Sequence, residues 1–228
     1  MLKIAKLAQR GDLRELLEVA REFHGHICPY VSLGVKASLL AMRELGVARL
    51  SFEESTQESI LAIVECNNCF ADGVQVTTGC TLGNNSLIYF DLGKDALTLV
   101  RRGGWEGVRI YVDGERLREG YFPKEAVELF ERVITRREGT SGDRDRLKQV
   151  WGEIGYQMLE LPEEEFKVQR VEIPPIEPAP IFKSLRCSSC GELAMETRAI
   201  QINGKPHCLR CAKKSYYALI GRGIVERR

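Results

Sequence analysis

His24, His26 and Cys28 fall within five residues, in the stretch His24-Gly-His-Ile-Cys-Pro29. Imidazole nitrogens and thiolates are good ligands for zinc, nickel, copper or iron. In extended backbone, alternate side chains share one side, so these three would project together. The ordinary alternative is a helix-ending loop with surface histidines and one buried structural cysteine. Three such side chains so close together favour a functional site.

Cys66-Asn-Asn-Cys69 follows an apolar run of strand length. It reads as a metal knuckle, or as a redox pair if Cys69 opens a helix, where thiol pKa is lowered. Asp72 and Gln75 lie one turn further on and point the same way. Cys80 and Thr81 come after Gly79. A straight helix over residues 70–79 would be about 15 Å long, and Cys69 and Cys80 could then share an ion only if it were short or bent. Asp91 and Lys94 flank Leu92-Gly93, which alone reads as a solvated hairpin turn.

A second set of cysteines sits near the C-terminus. Cys187-x2-Cys190 is separated by seventeen residues from Cys208-x2-Cys211, the spacing of a structural four-cysteine zinc site. Asn203-Gly204 between the pairs signals a hairpin. The run from Ala212 to Ile220 reads as a helix carrying the last two ligands, which makes the predicted module a treble clef. With four cysteines present, His207 is a bystander.

The elements that must position these groups follow from periodicity. Leu13, Leu16, Leu17, Ala20 and Phe23 recur at helical spacing behind Asp12 as N-cap, and a second helix runs from about Val31 to Leu45 with Gly46 as its stop. Ile60–Val64, Ser86–Phe90, Ala96–Val100 and Val108–Val112 read as closely spaced strands, which favours antiparallel pairing. Pro123 opens a helix reaching about Arg137. Gly139–Asp143 reads as a turn, and another helix covers Asp145 to Leu161. The fold class expected is α+β, with helices on a mainly antiparallel sheet. The domains expected are a core over 1–171, a Pro-rich linker over 172–182 and a four-cysteine zinc finger over 183–228.

Composition is that of an ordinary soluble protein, 44% hydrophobic and 29% charged. No apolar run approaches the roughly 18 residues of a membrane span, and the first residues make a poor signal peptide, so a cytoplasmic location is expected. In a reducing compartment, close cysteine pairs mean metal or catalysis more often than disulfides. Charge is unevenly spread. From Lys183 onward ten Lys and Arg face three Glu, giving +7, and the net of +1 leaves −6 for the rest. Only Tyr216 and Tyr217 accompany those basic residues as aromatics.

The N-terminal motifs resemble one family. Phe23-His-Gly-His-Ile-Cys-Pro29 with Gly34, Cys69-Phe-Ala-Asp-Gly-Val-Gln75, Thr78-Gly-Cys-Thr-Leu-Gly83 and Asp91-Leu-Gly-Lys94 are similar to the E-subunit family of formylmethanofuran dehydrogenase over roughly residues 10–160. The resemblance implies an α+β core, a homodimer, and one cleft lined by His24, His26, Cys28, Cys69, Asp72, Gln75, Cys80, Thr81 and Lys94. It also implies association with a molybdenum or tungsten enzyme. Tyr30, Asn84 and Cys66 depart from the family pattern. The function expected is an accessory or catalytic metal-binding protein of one-carbon or redox metabolism, with a second transition metal in the core besides the structural zinc. Cys28 or Cys69 would hold the metal or act as nucleophile, Asp72 would orient a histidine or take a proton, and Lys94 would attract a small anionic substrate. The alternative is a nucleic-acid-binding regulator acting through the basic zinc module. A third option is that this module only builds a dimer.

Overall fold

Caps written into the sequence set the helices around the first cluster. In the computed structural model, which describes residues 3–228, α1 (Lys3–Arg10) gives way at Gly11 to α2 (Leu13–His24). Asp12 accepts a hydrogen bond from the Glu15 N–H at 3.2 Å, an N-cap bond. Gly25, at φ 92°, closes α2 in the left-handed region that a side chain disfavours. Cys28 is extended and caps α3 (Pro29–Leu45), whose first position is proline. Eleven residues of α3 are buried, including Ser32 and Gly34, which lie on different faces. A helix covered nearly all round is the centre of its domain.

After the short α4 (Phe52–Thr56), β1 (Ile60–Val64) is buried along its whole length. Asn68 then caps α5 (Cys69–Thr78), accepting from the Phe70 N–H at 3.0 Å. β2 (Leu87–Tyr89), β3 (Ala96–Arg101), β4 (Glu106–Val112) and, later, β5 (Phe166–Glu172) complete a five-stranded sheet in the order β2-β1-β3-β4-β5. Only β1 and β2 pair in parallel, because the chain crosses over through α5 between them. The pairs β1–β3, β3–β4 and β4–β5 are antiparallel, with Ala62 opposite Leu99 and Leu99 opposite Val108. The α+β class with a mainly antiparallel sheet is therefore what forms. Glu65, just past β1, receives Arg109 of β4 in a two-pronged bond at 2.6 and 2.8 Å.

Between β4 and β5 lie α6 (Gly114–Tyr121), α7 (Lys124–Phe130) and α8 (Ser141–Leu159). Two expectations change here. The helix from Pro123 is regular only to Phe130 and continues as one π turn over Glu131–Thr135. The next helix starts at Ser141 rather than Asp145. Thr140 and Asp143 form a capping box, each bonding the other's backbone N–H, at 3.1 and 2.9 Å. Among the described residues, no helix is long and apolar enough to cross a membrane.

The chain divides into two compact units, Met1–Pro175 and Ile176–Arg228. The second contains three two-stranded ribbons: β6 (Ser184–Arg186) with β7 (Leu193–Met195), β8 (Ala199–Ile202) with β9 (Lys205–Cys208), and β10 (Tyr216–Ile220) with β11 (Gly223–Arg227). The β8–β9 ribbon turns at Asn203-Gly204, both at positive φ, as the dipeptide predicts. The helix expected over 212–220 does not form, so the treble-clef helix is replaced by the β10–β11 ribbon. Lys213 takes φ 51°, which stops a helix two residues after Cys211. Tyr216 to Ile220 then alternate between partly buried and exposed, a strand period that their helix-compatible residue types conceal.

Candidate functional site

Two helix N-termini bring the first cysteines together. Cys28 stands at the N-cap of α3 and Cys69 is the first residue of α5. α3 and α5 cross at backbone contact through Gly34 and Gly73. A Cβ on Gly34 would overlap the Phe70 carbonyl, and one on Gly73 would come within 2.7 Å of the Val35 nitrogen. This crossing sets the distance between the two thiols. The turn between α2 and α3 adds His24 and His26, whose ring centroids are 4.5 Å apart. One ligand atom from each of His24, His26, Cys28 and Cys69 lies within 4.8 Å of the other three.

The surroundings orient these donors. Asp72 Oδ2 is 2.7 Å from His24 Nδ1, and Gln75 donates through Nε2 to Asp72 Oδ1 at 3.1 Å. His24 Nε2 is buried without a hydrogen-bond partner. An unsatisfied buried imidazole nitrogen is costly unless its lone pair has a use. A carboxylate fixing one ring nitrogen while the other stays free is the arrangement found around metal-bound histidines. The donor chemistry and this orphaned atom both fit a metal ion.

Protonation favours the same reading. The Cys69 thiol is pulled down to about 6, first by the hydrogen bond with Cys28, with His24 assisting against the cost of burial. Cys28 moves up, because it supplies that hydrogen bond and is buried. The pair thus shares one proton. Burial, with His24 and Lys148 nearby, lowers His26, which keeps its imidazole neutral and able to ligate.

The other predicted residues lie elsewhere. Cys80 follows Gly79 at the far end of α5, and its Sγ faces the Ile60 carbonyl oxygen at 3.8 Å. Burial pushes its thiol up to about 12. Thr81 is in a turn with Asn84, each side chain bonding the other's backbone N–H at 2.9 and 3.2 Å. The length of α5 thus separates Cys80 from Cys69. Cys66 is buried, and its thiol is likewise raised to about 12 by burial, with the Asp95 carboxylate adding to it. It is outside the four-residue cluster. Lys94 lies in a cleft of about 350 Å³ with Tyr30, Asp95, Asp113 and Arg118. Residue type and spacing do not single out Asn68, Asp95 or Arg118 as a group. Asn68 is findable, since Asn just before a helical run is a common N-cap. Asp95 is Lys94's chain neighbour, whereas Asp113 and Arg118 are brought to the pair only by the pairing of β3 with β4 and by α6.

In the second unit, Cys187, Cys190, Cys208 and Cys211 also bring their sulfurs within 4.8 Å of one another. The Cys208 N–H donates to Cys187 Sγ at 3.4 Å and the Cys211 N–H to Cys208 Sγ at 3.5 Å. Backbone N–H groups of Cys190 and Cys208 hold the Cys187 thiol down to about 6. Gly191, at φ 76°, closes the first knuckle. His207 turns its Nδ1 to Ser189 Oγ at 2.9 Å and is outside the cluster.

Fold and site define a class: an α+β core that gathers two thiols and two imidazoles where two helices begin, followed by a four-cysteine module. The chain belongs to the FmdE family, whose model, described as "FmdE, Molybdenum formylmethanofuran dehydrogenase operon", matches residues 23–168. Residues 180–217 match the prokaryotic dksA/traR C4-type zinc finger. A protein of Archaeoglobus fulgidus named "Probable S-adenosyl-L-methionine-binding protein" is 62% identical over 217 residues. That match covers 95% of this chain and 57% of the relative, so the chain spans little more than half that protein's length. In fold, the chain is similar to the crystal structure of a "tungsten formylmethanofuran dehydrogenase subunit e (fmde)-like protein" from Syntrophus aciditrophicus. The TM-score is 0.57 at 24% identity, covering 88% of this chain and 91% of that one.

Proposed function

We propose that this chain is a metal-binding accessory or catalytic protein that holds one transition-metal ion in its core with His24, His26, Cys28 and Cys69. The observation that carries the reading is the convergence of these four donors within 4.8 Å around a buried, unpartnered His24 Nε2. Two sulfur and two imidazole donors suit zinc, copper(I), iron or nickel. An ion bound there would supply Lewis-acid or electron-transfer chemistry. Asp72 holds the His24 ring in place, and Gln75 holds Asp72. Lys94, in the neighbouring cleft, attracts an anionic group of a small substrate. Cys28 and Cys69 are the catalytic candidates if chemistry occurs on the chain.

The test is metal content after anaerobic purification. About two ions per chain are expected, falling to about one in Cys28→Ser/Cys69→Ser and in Cys187→Ser/Cys190→Ser alike. An unchanged content in the first variant overturns the core site.

The family's link to a molybdenum formylmethanofuran dehydrogenase operon supports a wider proposed role in one-carbon or redox metabolism beside a molybdenum or tungsten dehydrogenase, and the proposal includes a homodimer. Co-purification with such an enzyme and light scattering test these points. A second reading concerns the ligand. The relative's name makes S-adenosyl-L-methionine the first compound to titrate. The cleft is lined by Lys94 and Arg118 together with Asp95 and Asp113, charges suited to the carboxylate and ammonium of an amino-acid group. Isothermal titration with wild type and Lys94→Ala decides it, and no heat of binding with wild type discards it.

A further inference from the structure

We propose that the zinc-finger module binds single-stranded nucleic acid in the groove beside its second cysteine pair. The groove has a volume of about 830 Å³, and Thr197, Arg198, Arg210, Ser215, Tyr216 and Tyr217 line it. Three properties converge there, and neither the family nor the core metal accounts for them.

The first is unspent positive charge. From Lys183 onward ten Lys and Arg face three Glu. Four thiolates on one zinc carry a net charge of −2, which leaves the module strongly positive. In the first unit many arginines are matched, as in Arg43–Glu163 at 2.6 Å and Arg146–Glu125 at 2.6 Å. Among the described residues, no Lys or Arg of the module forms a salt bridge. Arg198 donates only to the neighbouring Thr197 carbonyl, and Arg186 to that of Gly191. The acid in the groove, Glu192, lies 3.8 Å from the Cys190 sulfur. Arg198 and Arg210, both lining this groove and in no salt bridge with a described residue, are a footprint for a polyanion.

The second is an exposed flat ring. Tyr217 is 78% exposed, although it lies in a strand of a paired ribbon. A tyrosine standing clear of its own fold beside arginines presents a stacking face for a base, while the arginines take phosphate. The Thr197 and Ser215 hydroxyls lie within the same groove, where sugar and phosphate oxygens would pass. An acidic peptide would use the cations but has no use for the ring.

The third is the element that is missing. The chain from Tyr216 to Arg227 is a two-stranded ribbon and not a helix. A finger that reads duplex DNA commonly lays a helix in the major groove. Here the ligand face is a shallow groove with a ring at its edge, which suits a strand whose bases are unstacked.

The test uses the full-length, zinc-loaded protein and labelled oligo(dT) and oligo(U) of about 12 nucleotides. Binding is expected, with affinity falling as salt rises. Arg198→Ala/Arg210→Ala should reduce the log–log salt slope by about 1.4. Tyr217→Ala should weaken binding about tenfold with the slope unchanged, and Tyr217→Phe should restore it. Arg146→Ala, on the core, should have no effect. Zinc content, read with a thiol-displaced indicator, shows that each variant keeps its finger. Absence of binding at about 50 mM salt overturns the proposal, as does binding that both the arginine and Tyr217 variants leave unchanged. Tighter binding of duplex DNA or of poly-glutamate than of the single strand also overturns it, and assigns the patch to duplex or to an acidic protein.

Discussion

His24 shows how one side chain is specified from two directions. Its Nδ1 is committed to Asp72, and its Nε2 is buried without a partner. Asp72→Asn keeps the volume but removes the charge that fixes the ring. Core-metal affinity is expected to fall about 10- to 100-fold, read by competition with a chromophoric chelator. The thiol pair sets the pH dependence. Cys69 is a thiolate above about pH 6, whereas the raised Cys28 still holds its proton at pH 8. Metal must displace that proton, so zinc binding at pH 8 should release about one proton from the pair. Affinity should fall about tenfold for each pH unit on going from 8 toward 6, and more steeply below 6, where Cys69 also takes up a proton. Calorimetry in buffers of different ionisation enthalpy measures the release. The candidacy of Cys28, Cys69, His24 and His26 as donors was legible from residue type and spacing, and the structure brings the four together. Cys80 was not separable from them by type alone, because only the run of α5 carries it away from Cys69.

At the scale of elements, the site depends on one crossing. Gly34 and Gly73 let α3 and α5 touch backbone to backbone. In Gly73→Ala the new Cβ meets the Val35 nitrogen at 2.7 Å, with no flexible side chain to yield. The helices must part, at a cost of about 3 kcal/mol in denaturant unfolding, and the core metal content should fall with it. A normal metal content with unchanged stability would show that the crossing does not set the thiol distance. Most elements announce themselves through caps: Asp12, Gly25, Gly46 and Asn68 each mark a boundary by a bond or a left-handed backbone. The start of α8 is hidden because Thr140-Ser-Gly-Asp143 contains a capping box inside what reads as a glycine turn. β5 escapes the sequence pattern because an edge strand leaves it half exposed, so Phe166 is its only buried residue.

Across the whole molecule, the two units rest on different physics. The first buries a continuous set of Leu, Ile, Val and Phe around α3 and the sheet. In the module from Lys183 on, only Cys187 and Gly223 are buried. A fold with so little apolar interior depends on its metal. Chelation of the zinc should abolish the near-ultraviolet signal of Tyr216 and Tyr217 while leaving the unfolding transition of the first unit in place. Retention of that signal without metal would show that the ribbons stand by themselves.

What the sequence determined by itself is local. Ligand types, Cys-x-x-Cys spacing, caps and the short apolar runs of β1, β3 and β4 act over a few residues, and the chain states them directly. What only the tertiary structure decided is which distant groups meet. Asp72 reaches His24 across 48 positions of sequence because α5 packs beside the end of α2. Asp113 and Arg118 join Lys94 and Asp95 through the pairing of β3 with β4 and the α6 that follows. The last dozen residues form a ribbon instead of a helix, because pairing between Tyr216–Ile220 and Gly223–Arg227 outweighs a helical preference worth only tenths of a kcal/mol per residue, on the order of 0.1–0.7. Local signals specify what each residue can do. Burial and pairing, which sum over the whole chain, decide with which partner it does so.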